Sequence, residues 1–220
     1  MPIFTTNYDN VIELLAQIPE ADIKEVITGF KGEEKAIPPN PAWQPEVFDQ
    51  EPNRDNLFLF KLHGSISWRR DHHGVLREAG EGHFELANLW KENVLIPPGT
   101  AEFQYGEPWQ SLRTYLDIYL QKASFCVAIG YRFDDITIRD YFTRSLERGI
   151  GLVLLNPEAE NVKAEKFPNF DNVICIPETF QTGAEALREA LKGTRYIPKS
   201  EVLISEPDLQ PSEQLSPDEA

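Results

Sequence analysis

The pattern of apolar and polar positions divides the chain into two regimes. From Ser124 onward, short continuous apolar runs alternate with stretches of helical period. "SFCVAIG" (124–130), "IGLVLLN" (150–156) and "NVICIP" (172–177) read as buried strands. Residues 134–149, closed by Gly149, the segment "AENVKAEKF", and residues 179–193, closed by Gly193, read as helices. This alternation predicts βαβ units and a parallel sheet covered on both faces. The earlier part is less regular. Residues 2–6 predict a short strand, and 9–17 carry helical apolar spacing at Val11, Leu14 and Leu15, with Asp9 suited to cap that helix or to stand in its first turn. The run "LFLFKLH" (57–63) meets Gly64–Ser65 and predicts a buried strand ending in a turn. Next come a hairpin with Gly74 in its turn, a short strand "NVLIPP" (93–98) and an amphipathic helix over 108–122 opened by proline. Residues 31–56 hold Pro38, Pro39, Pro41, Pro45 and Pro52 and predict a long irregular connection, a kind that serves or covers a site.

Composition narrows the classes. A chain of 220 residues can build one domain with a sizeable core. It has no run of about 18 apolar residues and no basic-then-apolar leader at its start, so the expectation is a cytoplasmic protein outside the membrane. Cys126 and Cys175 both lie in apolar runs and predict buried free thiols. There is no CxxC pair, and His63, His72, His73 and His83 lack metal-ligand spacing, so no metal is expected. The net charge of −15 argues against nucleic acid, whose binding rests on Lys and Arg at phosphates. From Lys199 to the end, Glu201, Glu206, Asp208, Glu213, Asp218 and Glu219 stand against one base, among three prolines. Residues 198–220 therefore predict a disordered acidic tail, and the chain without it is still acidic.

Ligands of parallel sheets bind beyond the carboxyl ends of the strands. Here those ends are Thr5–Asp9, His63–Ser65, Gly130–Asp135 and Asn156–Pro157. Four strand ends would face one crevice with amide, imidazole and carboxylate groups, as a nucleotide site requires.

The same four stretches resemble the SIR2-like, or sirtuin-fold, NAD-binding family. "TTNYD" (5–9) is similar to the sirtuin T-Q-N-x-D segment, and "KLHGS" (61–65) to its H-G motif. "IGYRFDD" (129–135) is similar to the glycine–serine stretch after a later strand, and "LLNP" (154–157) to the strand-end Asn that holds the adenosine ribose. The wording is closest to the branch found in prokaryotic antiphage defence, where T-T-N-Y-D, L-H-G-S and G-Y-S-x-x-D recur. The resemblance spans about residues 3–195. It implies a Rossmann-like α/β domain over 1–197, with 31–56 and 66–105 inserted as a small zinc-free covering lobe in which Trp43, Trp68 and Trp90 pack. In that family a glycine-rich strand–turn–helix precedes the T-x-N-x-D strand and cradles the NAD pyrophosphate through backbone N–H groups. No such segment stands before Thr5. The expectation is a domain truncated at its N-terminus, with an exposed sheet edge at 2–6.

The resemblance implies NAD as substrate and cleavage of the nicotinamide–ribose bond. His63 would be the base, since an imidazole with a pKa near ~6.5 serves at neutral pH. Asn7 would position water or the ribose. Thr6, Asp9, Gly130, Tyr131, Asp134 and Asn156 would contact the cofactor, with Asp9 at the nicotinamide end and Asn156 at the adenosine ribose. Simpler roles exist for each. His63 suits a strand-end hydrogen bond, Asn7 and Asp9 suit helix capping, Gly130 suits a tight turn, and Asp134 and Asp135 suit the start of a helix. Arg132 stands where the family often has Ser, and an Arg there suits phosphate. The alternatives to an NAD hydrolase are a non-catalytic NAD- or ADP-ribose-binding or assembly module, and a deacylase. The sirtuin deacylases carry a four-cysteine zinc domain that this chain lacks. Partners beyond NAD would be a partner protein, an N-terminal segment or further copies of the chain.

Overall fold

The computed structural model describes residues 1–21, 23–32, 41–50, 56–79, 90–96 and 106–193, without the side chains of 20, 90–93 and 193. His83, the side chain of Trp90 and the acidic tail expected over 198–220 lie outside the described residues. The chain is mixed α/β, with strands in three sheets.

The first sheet is parallel. Strand β1 (Pro2–Thr5) leads through the short helix α1 (Val11–Leu15) and a 3-10 turn (Pro19–Ala21) to β2 (Glu25–Ile27). The order is β1-β5-β2, with β5 (Asn56–Lys61) in the centre, in register Pro2 with Phe58 and Thr5 with Lys61. Position explains why β5 is a continuous apolar run: Leu57 to Lys61 are all buried.

The chain leaves this sheet at Lys61, turns through Leu62 and His63, and at Gly64 enters an antiparallel sheet. That sheet takes strands from both stretches expected to form the covering lobe, 31–56 and 66–105, and also includes Phe30 and Gly64–Ser65. Its strands are β3 (Phe30–Lys31), β4 (Ala42–Trp43), β6 (Gly64–Asp71), β7 (Leu76–Glu78) and β8 (Trp90–Leu95), in the order β3-β4-β7-β6-β8. The hairpin between β6 and β7 turns at Gly74, whose φ is +78°. A further 3-10 turn covers Pro45–Asp49. The sheet's core is aromatic: Trp68 is fully buried, 5.7 Å from Trp43 and 5.3 Å from Phe30. Among the described residues no group of His, Cys, Asp and Glu is arranged to hold a metal.

Helix α2 (Trp109–Lys122) returns across the core, burying Trp109, Leu112, Leu116 and Leu120 along one face. The regular part comes next: β9 (Phe125–Ile129), α3 (Ile136–Glu147), β10 (Gly151–Leu155), α4 (Ala159–Lys166), β11 (Val173–Ile176) and α5 (Phe180–Gly193). These strands form a second parallel sheet, β11-β10-β9. Two three-stranded parallel sheets thus stand where the periodicity predicts one. They share a hydrophobic core that joins Phe58 and Phe60 to Leu152 and Leu154. No helix among the described residues is long and apolar enough to cross a membrane.

Two expectations change. Strand β9 reads as buried, but its residues are half-buried and Ile129 is 49% exposed. It is an edge strand, paired with β10 alone among the described residues. Helix α1 is shorter than predicted, and Val11, Leu14 and Leu15 are exposed. Strand β1 pairs only with β5 among the described residues, and its four residues are half-buried rather than exposed. Cys126 and Cys175 are free thiols, partly buried, and burial raises both pKa values, that of Cys126 to about 11.

Candidate functional site

His63 stands at the junction between the parallel sheet of β5 and the antiparallel sheet of β6. Its carbonyl accepts from Ile96 N–H at 2.8 Å, so the end of β8 fastens its backbone. The Tyr8 hydroxyl donates to the Ile96 carbonyl at 2.5 Å, which ties the segment after β1 to the same point. The next residue must be glycine for the turn to form. Gly64 has φ +85°, and a Cβ there would lie 2.2 Å from the Val94 carbonyl oxygen.

The side chain of His63 meets Asp135. Nε2 lies 3.2 Å from Asp135 Oδ2, with both side chains partly exposed. Asp135 comes from the loop after β9 and is the N-cap of α3, its Oδ1 accepting from Ile138 N–H at 3.1 Å. One carboxylate therefore starts the helix with one oxygen and holds the imidazole with the other. The contact brings together the C-terminal ends of β5 and β9, which belong to different sheets. The His63 hydrogen bond holds the Asp135 carboxyl below its ordinary value, against desolvation and with help from the Ile138 N–H. A carboxyl lowered in the folded state stabilises the fold above its unfolded pKa and loses that contribution as pH falls through the folded pKa. The stability difference between the protein and Asp135→Asn, measured by urea unfolding, should be fully present at about pH 5 and close as pH drops below about 3.8.

The 130–135 loop is built from unusual backbone. Gly130 has φ +66° and Phe133 has φ +59°. For a phenylalanine this conformation costs of the order of 1 kcal/mol or more. Packing supplies the compensation: Phe133 is fully buried between Tyr131, Phe142 and Phe167 at 4.7–5.0 Å. Among the described residues the buried Tyr131 hydroxyl has no hydrogen-bond partner, and burial, with the nearby Asp135 and Asp134 charges, raises its pKa.

The structure does not bring every predicted residue to His63. Asp134 points to α4, where Lys166 Nζ is 2.9 Å away, and that partner lowers its pKa. Of the two adjacent acids it is Asp135 that reaches the imidazole. Arg132 pairs with Glu158 at 2.5 Å and lies 3.7 Å from Asp134, so its charge is already matched by acids. Asn156 is buried, and its Oδ1 accepts from Glu158 N–H at 2.8 Å, closing the turn into α4. Asn7 is exposed, its N–H donating to Thr5 Oγ1 at 3.1 Å, and Thr6 beside it is half-buried. Asp9 is also exposed and accepts from Val11 N–H at 3.1 Å, which is a capping role. Gly130 has open space above it, with nothing within 4 Å of a built Cβ.

One group beneath the site escapes sequence reasoning. Lys61 is 1% exposed, and its ammonium is ringed by Glu13, Asp9, Asn10 and Ser65. The clue is a lysine inside a run of apolar strand residues.

A family model described as a SIR2-like domain matches residues 2–172, from the first strand to the residue before β11. No curated protein matches the chain.

Proposed function

The chain belongs to the SIR2-like domain family, and on that ground we propose that it hydrolyses NAD to nicotinamide and ADP-ribose, in prokaryotic antiphage defence. The observation that carries the reading is the His63–Asp135 pair, which joins the ends of β5 and β9. Cleavage breaks the bond between ribose C1′ and the nicotinamide nitrogen. The bonding pair moves to the pyridinium ring, so nicotinamide leaves neutral and needs no strong acid. Positive charge develops on the ribose, as in other glycoside cleavages. Water then bonds to C1′ and its proton goes to a base.

In this reading His63 is that base. With Nε2–H donated to the Asp135 carboxylate, the lone pair resides on Nδ1, and the carboxylate stabilises the imidazolium that forms. Asn7, exposed at the mouth of the β1 loop, supplies an amide to position water or the ribose. Gly130 lets the cofactor approach the backbone, and Asp9, Thr6, Tyr131, Asp134 and Asn156 are its further contacts. The test is incubation of the protein with NAD while nicotinamide and ADP-ribose are monitored by chromatography. Equimolar appearance of both supports hydrolysis. Binding of NAD by calorimetry without nicotinamide release would replace it with a non-catalytic NAD-binding module.

A further inference from the structure

The mechanism leaves one buried charge without a role. Lys61 ends β5, two residues before His63. Its Nζ lies 2.5 Å from the Glu13 carboxylate, 2.6 Å from the Asp9 carbonyl, 2.9 Å from Asn10 Oδ1 and 3.0 Å from Ser65 Oγ. An ammonium so deeply buried persists only when paired and saturated with acceptors. Three of its four partners lie between Asp9 and Glu13, the segment just after Asn7.

That segment has little else to hold it. Helix α1 buries none of its residues, and Val11, Leu14 and Leu15 are each about half exposed. Apolar packing therefore does not fix it on the sheet. Backbone bonds from Leu62 N–H to Thr5 and from Ile66 N–H to Tyr8 secure the loop only as far as Tyr8. Beyond that point the ties to the sheet among the described residues run through Lys61 and the neighbouring Ser65 hydroxyl, which also reaches Asn10 Oδ1 at 3.2 Å.

We infer that Lys61 is a positioning residue of the site: it anchors residues 9–13, the stretch that the backbone bonds leave untied, and so sets where Asp9 stands relative to His63. Its effect on turnover rests on the NAD-hydrolase reading, whereas its effect on the order of the loop does not.

The experiment uses the full chain with Lys61→Met, Lys61→Arg and Glu13→Gln. Backbone hydrogen exchange is read by mass spectrometry over residues 7–15, with 151–155 as an internal reference. Lys61→Met should raise exchange in 7–15 by about tenfold or more while the reference is unchanged. Glu13→Gln should raise it in the same segment by a smaller factor, and this variant decides the matter if Lys61→Met does not fold. Nicotinamide release by Lys61→Met should fall about tenfold or more in kcat, with a smaller change in KM, because misplacement of a positioning group is felt in the transition state. Lys61→Arg, which keeps the charge and the donors, should recover most of both readouts. Unchanged protection of 7–15 in the folded variants overturns the proposal. So does a loosened loop with kcat unaltered. Absence of nicotinamide release from the unmodified protein overturns the hydrolase reading instead, and leaves the exchange result to judge Lys61 as anchor of the loop.

Discussion

If the chain is the proposed NAD hydrolase with His63 as its base, His63→Ala should lower nicotinamide release by about two to four orders of magnitude, the range expected when a general base is removed, and should leave the fold intact. The second half of this expectation comes from where the imidazole sits. Its side chain is partly exposed and its bond to Asp135 is one of two that this carboxylate makes. Truncation at Cβ empties a partly buried position and leaves the backbone bond from Ile96 N–H untouched. Asp135 keeps its Ile138 contact, so α3 remains capped. Circular dichroism should therefore stay close to that of the unmodified protein, the unfolding midpoint should fall only by the share that the His63–Asp135 bond contributes, and the lost rate can be assigned to chemistry. NAD turnover at an undiminished rate in this variant would remove His63 from the mechanism.

Gly64→Ala has the largest effect on stability among single-methyl changes near the site. Two costs add. The residue has φ +85°, where an L side chain is strained by about 1–2 kcal/mol. The new Cβ would also lie 2.2 Å from the Val94 carbonyl oxygen and 2.9 Å from Leu95 Cα. Backbone of a paired strand cannot step aside as a flexible side chain does, so β8 must shift, at a further cost of about 1–3 kcal/mol. A total near 3 kcal/mol is a large share of a typical stability of about 5–15 kcal/mol and corresponds to a fall in Tm of roughly 6–12 °C for a chain of this size. Calorimetry measures it directly. Gly130→Ala is the internal comparison. It shares the positive φ, at +66°, but a Cβ there meets nothing within 4 Å, so only the conformational cost of about 1 kcal/mol applies. Equal losses at the two positions would show that the clash with β8 is not what requires Gly64.

Both predictions concern the turn where β5 hands the chain to the antiparallel sheet, and stability and chemistry meet there for one reason. The turn must reverse into an antiparallel strand within two residues while keeping the imidazole at the sheet's carboxyl end. Only a glycine allows β8 to lie against the turn closely enough for Ile96 to bind the His63 carbonyl.

Much of this was legible without coordinates, because it depends on local order along the chain. The continuous apolar runs of β5 and β10, the helices α2 to α5, the Gly74 hairpin and the strand-end placement of His63 and Asn156 come from periodicity and turn chemistry, which act over a few residues. What lay out of reach depends on pairing between distant segments. "SFCVAIG" has the composition of a central strand, yet β9 lies at an edge, since a strand's neighbours are chosen across the sheet and not within the run. Asp134 and Asp135 are equivalent as letters. The left-handed turn at Phe133, enforced by its burial between distant aromatic rings, accompanies a loop in which one acid faces Lys166 and the other His63, 72 residues away. Lys61 read as one more residue of a buried strand, because the Glu13 carboxylate that neutralises it comes from a different element. Local physics wrote the elements and the places where polar groups could gather; long-range packing decided which of those groups touch.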